Sequence, residues 1–419
     1  MKRTIVPAAL LCVLAAAAPL PGQSHRTFRE DYDAVQGLTR IRVGPVRLVP
    51  VFRLSDAGYD SNVYFREEGE AVGDATATLS PEIRGYWLVG SSIILSATEN
   101  PEYLAFARET SLRAFTNSVS TSLRWLFLRH VSLSGEYHAL NHVRRSLSEL
   151  DHRVRDTAAG AGASLFFETA RGTAFGFAGS LDDFRYKDVA SGAVDDIYGR
   201  MLDRRETSAA VELDYRVFSA SSLFATAGLT RYDFRHAESA WRDGSSIQAW
   251  AGFRFPLSGR ARGAVRVGWK SFRPDSADRK PFSGLIAATD VALRLGRLGV
   301  TLGLDRDNAF SYNESAYYYV DTRARAGLSL YLAEFLRIDG GVQYGTISYP
   351  EPQQVWWDGV LIVVDRREDI QQNFSAGPVI RLGGTVGLGL TYNFYTRTSN
   401  APGFDVRRNF VGAFITYEF

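Results

Sequence analysis

From Val46 to the end of the chain, apolar and polar residues alternate in segments of about ten, the period of two that a strand imposes on its side chains. "ATATLSPEIRGYW" sets Ala77, Leu79, Pro81, Ile83 and Trp87 against Thr76, Thr78, Ser80, Glu82 and Arg84. "SVSTSLRWLF" sets Val119, Thr121, Leu123, Trp125 and Phe127 against Ser118, Ser120, Ser122 and Arg124. Later segments repeat the pattern, with Leu213 and Tyr215 opposing Glu212, Asp214 and Arg216, and with Leu328 and Leu330 opposing Arg323, Arg325 and Ser329. Helical periodicity is hard to find anywhere. The pattern predicts an all-β antiparallel chain of about eighteen strands, with sixteen the alternative, each near the roughly 9 to 11 residues that cross a bilayer when tilted.

The connections alternate strictly between two lengths. Short ones such as "VGSS", "LRH", "TARG" and "LGGT" follow long polar ones such as "GYDSNVYFREEGEAVGD", "NPEYLAFARET", "NHVRRSLSELDHRVRD", "RDNAFSYNESAY" and "SYPEPQQVWWDGVLIVVDRRED". A soluble sandwich has no reason to gather its short turns at one end, whereas a transmembrane barrel has short periplasmic turns and long external loops. An arginine facing lipid near the midplane costs about 2 to 4 kcal/mol. The faces with Arg84, Arg124, Arg216, Arg254, Arg266, Arg294, Arg323 and Arg325 are therefore expected to look inward. Outward, Trp87, Trp125, Phe167, Tyr215, Phe255 and Phe419 finish the descending strands as an aromatic girdle. Pairing a first strand near Val46–Ser55 with the last would remove every edge. Pro50, Pro81, Pro256 and Pro378 remove ladder donors and are expected at strand ends or bulges.

Composition narrows the class. The opening "MKRTIVPAALLCVLAAAAPLPGQS" has Lys2 and Arg3, an apolar run and small residues, the layout of a secretory signal peptide with cleavage between Ala18 and Ser24. Cys12, the chain's one cysteine, lies within it, so no disulfide or Cys-ligated metal is expected in the exported protein. The longest later apolar stretch, "GVLIVV" at 359–364, is far below the roughly 20 residues of a spanning helix. A net charge of +2 is too balanced to argue for nucleic acid. The expected organisation is a signal peptide at 1–24, a short periplasmic segment at 25–45 and a barrel at 46–419.

Two stretches carry resemblances. "FVGAFITYEF" resembles the C-terminal assembly signal of bacterial outer-membrane barrels, with Ala413, Ile415, Tyr417 and Phe419 on one face. The resemblance implies strand-addition recognition by the barrel assembly machinery. "GYDSNVY", with Gly58, Tyr59, Asp60, Ser61 and Asn62, followed by "LSPEIRG" at 79–85, resembles the opening of the "Putative beta-barrel porin 2" type. Several relatives of that type are encoded with exopolysaccharide or capsule export systems, and the resemblance implies such a role and periplasmic export partners. A similar Asp-Ser-Asn opening occurs in surface-lipoprotein translocators, which carry a helical repeat domain before the barrel; only about twenty residues separate the signal segment from the first strand here.

Candidate chemistry is sparse. Asp60, Ser61 and Asn62 read first as turn chemistry and second as a loop site for a cation or sugar. Glu136, His138 and His142, with Ser146 as the only close serine, invite comparison with a hydrolase but read better as wall and loop polarity. No catalytic, cofactor or metal site is expected. Arg254, Arg262, Arg266, Lys270, Arg294, Arg323 and Arg325 would, with Arg124, line the pore and make one wall electropositive, favouring anionic solutes. The equal alternative is that they pair with Glu136, Glu212, Asp214 and Asp290 and stiffen the wall. "QQVWWDGVLIVV" is either an external hairpin or an infolded constriction, where Trp356 and Trp357 stack on sugars or pack the loop. The expectation is an outer-membrane channel, not an enzyme, exporting an anionic polysaccharide. The alternatives are a general porin for small solutes and a non-conducting structural or adhesion barrel.

Overall fold

The computed structural model describes residues 27–38, 41–145, 149, 153–188, 196–218, 221–255 and 260–419. The signal segment, Cys12, Ser146 and Pro256 lie outside the described residues, as do the side chains of Phe255 and Trp356. Helix α1 (Phe28–Gln36) and the short strand β1 (Ile41–Val43) precede the wall. The wall itself begins with β2 (Val46–Asp60), β3 (Asp74–Val89), β4 (Ile93–Phe106), β5 (Ala114–Leu128), β6 (Val131–Arg144), β7 (Val154–Glu168) and β8 (Ala174–Asp188). A one-turn helix α2 (Ile197–Leu202) leads into β9 (Arg204–Arg216), β10 (Ser222–Phe234), β11 (Gly244–Phe255), β12 (Ala261–Pro274), β13 (Phe282–Leu295), β14 (Leu298–Phe310), β15 (Tyr318–Tyr331) and β16 (Leu336–Ser348). After an external hairpin, β17 (Gln353–Trp357) and β18 (Val360–Val364), the wall ends with β19 (Glu368–Leu382), β20 (Val386–Ser399) and β21 (Val406–Glu418).

Each wall strand pairs antiparallel with its neighbour, and β2 pairs with both β3 and β21. The result is a closed barrel of 18 strands, with β1 as a three-residue appendage on β2. Closure is what the alternation demands, because an open edge would leave a row of unpaired amides in hydrocarbon. The apolar faces are the outer ones: Ile247, Leu285, Leu328, Leu390 and Val411 are all exposed. The girdle is present in Trp87, Phe167, Tyr215 and Phe419. Tyr417 and Phe419 meet edge to face with centroids 4.4 Å apart. Arg306 is an outward arginine, but it sits at the loop end of β14, donating to Thr322 Oγ1 at 2.7 Å and the Leu285 carbonyl at 3.2 Å.

Three expectations need correcting. The strands are longer than expected, 15 residues in β2 and 16 in β3, and much of "NPEYLAFARET" is the upper half of β4. Above the acyl layer both faces meet water, so polarity no longer separates them and the ladder continues unseen. Of the prolines, Pro50 lies where pairing of β2 with β21 begins, its carbonyl accepting from the Phe419 amide at 3.2 Å. Pro81 and Pro378, however, sit mid-strand within local gaps in the ladder, with no register change. The bulge falls elsewhere in β2, between Leu54 and Ala57, with Asp56 at a φ of 51°. Finally, α1 is a genuine helix. Thr27 and Glu30 form a capping box, and Phe28, Tyr32 and Val35 share the face that packs on the barrel.

Candidate channel interior

The predicted basic residues all fall on the face opposite the exposed apolar positions. Arg254 reaches Asp214 at 2.6 Å and Ser222 Oγ at 3.2 Å. Lys270 pairs with Asp307 at 3.0 Å, Arg323 with Asp321 at 3.0 Å, and Arg325 with Asp305. Arg266 lies over the Trp250 ring and Arg294 over Tyr331. Neither these two nor Arg262 forms an ion pair among the described residues. The acids expected as partners are thus only partly the ones used: Asp214 is, but Asp305, Asp307 and Asp321 replace Glu136 and Asp290. Partners come from the same or nearby strands, within side-chain reach, rather than from across the lumen. The Arg325 and Asp305 side chains remain 45% and 42% accessible although they face inward, so this part of the interior holds water.

Glycine makes room for one such pair. His138 Nε2 on β6 meets Asp182 Oδ1 on β8 at 3.2 Å across the intervening strand. A Cβ at Gly160 would stand 2.0 Å from that carboxylate and 2.7 Å from the imidazole, so only glycine fits between them. His138 is thereby engaged in the wall.

At the short-turn end the lumen meets α1. The Phe28 amide donates to Glu168 Oε2 at 3.0 Å, placing a carboxylate at the helix N-terminus where the dipole favours it. Ser132 Oγ donates to the same carboxylate at 2.6 Å. Arg124 pairs with Asp31, and Arg216 with Glu30 at 2.7 Å. Because β5, β7 and β9 are alternate strands, one nine-residue helix can bind all three only from the concave side. Burial works against the Glu30 carboxylate, but the Arg216 and Thr27 hydrogen bonds hold its pKa below the ordinary value. The helix also covers Leu88 and Ile94, with Leu126 beside them. These three apolar residues on the polar face were the readable signal for a docked element.

At the other end the β14–β15 hairpin leans across the opening. Pairing of β13 with β14 stops at Ala287 and Arg306, although both strands continue. Above that split, Phe310 meets Tyr232 and Phe234 of β10 and Phe272 of β12, with centroids 5.1 to 5.5 Å apart. Tyr317 stacks on Phe272 at 5.0 Å. Buried Arg242, before β11, donates to the carbonyls of Ser311, Asn313 and Ala316, and burial pushes its pKa down to about 10. Glu149, between β6 and β7, accepts from Ser311 Oγ at 2.6 Å and from the Tyr312 amide at 3.0 Å. "RDNAFSYNESAY" is therefore an infolded constriction, and the hairpin β17–β18 is the external one. Its Asp358-Gly359 turn has positive φ at both residues, as a two-residue turn of matching twist requires. Trp357 packs the loops, its ring against Gly403.

The "GYDSN" residues staple the closure seam. Arg408 of β21 forms a fork on Asp60, with contacts of 2.8 to 3.0 Å. The Asn409 amide donates to Ser61 Oγ at 2.8 Å, and Asn62 Nδ2 donates to the Arg407 carbonyl at 3.1 Å. The Asn62 amide donates to Asp60 Oδ1, the local turn bond expected of such residues. Tyr59 points outward, and at Gly58 a Cβ would lie 2.0 Å from the Val411 carbonyl oxygen, so the backbone approach there requires glycine.

An 18-stranded barrel with an apolar outside, a charged and hydrated inside and aromatic rings at its rim is an outer-membrane barrel of the porin type. The chain belongs to the family described as "Putative beta-barrel porin 2", whose model matches residues 39–419. Among solved structures it is similar to the outer membrane protein OpdK from Pseudomonas aeruginosa, at 11% identity and a TM-score of 0.50 over 90% of this chain and 100% of that one. It is similar also to a BenF-like porin from Pseudomonas fluorescens, at 13% identity and a TM-score of 0.50 over 90% and 99%. At such identities the likeness is one of fold. No curated protein matches the chain.

Proposed function

We propose that the barrel is a channel for small water-soluble solutes, narrowed by α1 at the periplasmic end and by the β14–β15 hairpin at the outer end. The observation that carries this reading is the solvent accessibility of inward-facing Arg325 and Asp305, charges that would be too costly to leave in a dry core. The predicted basic residues line the conduit, with most of their charge met by Asp214, Asp305, Asp307 and Asp321. Arg262, Arg266 and Arg294 have no ion-pair partner among the described residues, and inward-facing Glu136 and Asp290 offset part of their charge, so any anion preference is expected to be weak. Export of an anionic polysaccharide would need a continuous path for a polymer, and the two infolded elements favour the small-solute alternative. Recording in planar bilayers tests the proposal: ohmic conductance with mild anion selectivity is expected, and a silent membrane at saturating protein would overturn it.

A further inference from the structure

Resting on the channel reading, we infer that the inner wall at the closure seam holds a binding site for a neutral, hydroxyl-rich solute of about monosaccharide size. A cavity of 370 Å³ lies there, at the small end of the roughly 300 to 1,000 Å³ of small-molecule sites. Its floor is a run of side-chain amides on neighbouring strands, Gln343, Asn373 and Asn393, with the Thr391 hydroxyl beside them. Asn393 Nδ2 donates to Asn373 Oδ1 at 2.8 Å, which fixes the orientation of both amides. An amide offers a donor and an acceptor from one group, and so does each hydroxyl of a sugar.

The charges around the cavity are already engaged. Arg408 is forked on Asp60, and Arg145 lies over Phe65 at 4.2 Å and bonds the Tyr395 hydroxyl at 3.4 Å. A carboxylate solute would also meet the Asp56 carboxylate, whereas a hydroxyl can donate to it. With Arg145 balanced by Asp56 in the lining, it is the amide floor that favours a neutral polar solute over anions and apolar molecules.

A second observation points to the same place. Three described non-glycine residues have positive φ: Asp56, Phe65 and Asp358. Asp358 belongs to a hairpin turn, where that geometry is ordinary. The other two line this cavity, Asp56 from the bulge in β2 and Phe65 from the connection that follows. Strained backbone that re-aims a side chain is characteristic of binding sites.

The test uses the full-length barrel. In bilayers, millimolar D-glucose or D-galactose is expected to reduce or flicker the current, and glucuronate to do so several-fold less well. Asn393→Leu and Asp56→Gly are each expected to weaken the sugar effect about fivefold or more. Asp56→Gly should at the same time raise the temperature of unfolding, because glycine relieves the left-handed strain. Conductance without any sugar effect, stronger block by glucuronate, or unchanged block in both variants would overturn the site while leaving the channel intact. Should the barrel not conduct, the channel reading falls. Saturation-transfer NMR of glucose with detergent-solubilised barrel then decides the site, with Asn393→Leu as the comparison and absence of transfer the refuting result.

Discussion

Asp60 is almost wholly buried and shares both carboxylate oxygens with Arg408, so its removal strands a guanidinium at the seam. Asp60→Ala is expected to destabilise the barrel by about 3 kcal/mol, the usual penalty for breaking a buried pair. It should lower the midpoint of heat-induced loss of the folded gel band, with Asp60→Asn showing a smaller drop because its side-chain oxygen can keep the turn bond. Gly160→Val should act likewise in β7, away from the seam, by driving His138 and Asp182 apart. Turn chemistry in Asp60, Ser61 and Asn62 was legible in the sequence because such residues bond locally. Their bonds to Arg407, Arg408 and Asn409 were not, since nothing in the local pattern shows which residues closure will bring alongside.

At the level of elements, α1 is the clearest gate. Its capping box and its Phe28, Tyr32 and Val35 spacing could be read from the sequence, but nine residues make a faint helical signal beside eighteen strands. Replacing both Arg124 and Arg216 with alanine should free the helix from the mouth and raise single-channel conductance, by about twofold or more, without loss of folded barrel. Acid should act in the same direction. Because docking lowers the pKa of Glu30, its stabilising contribution is full above the ordinary glutamate value of 4.5 and is lost as pH falls through the lowered one. Conductance is therefore expected to rise in strong acid, and Glu30→Gln should flatten that dependence. The β14–β15 constriction was hidden for a different reason. Phe310, Tyr317 and Tyr318 read as aromatics at the edge of a loop, and only the split from β13 turns them across the opening.

For the whole molecule, strand number, antiparallel order and the inner face followed from two simple constraints, alternation and the cost of arginine in lipid. Those constraints act on every strand at once, which is why the architecture was readable while the contents of the lumen were not. They also make the wall's selectivity testable: Arg323→Ala with Arg325→Ala should reduce anion preference only modestly, since both arginines have acidic partners. The central claim is the sidedness of the wall, and single-cysteine probing in lipid vesicles tests it most directly, with Cys12→Ser as background. Cysteine placed at Arg325 should react with a membrane-impermeant sulfonate reagent, and a fluorophore at Leu328 should be quenched by lipids brominated along their acyl chains. Lipid quenching at 325 together with aqueous labelling at 328 would contradict the account.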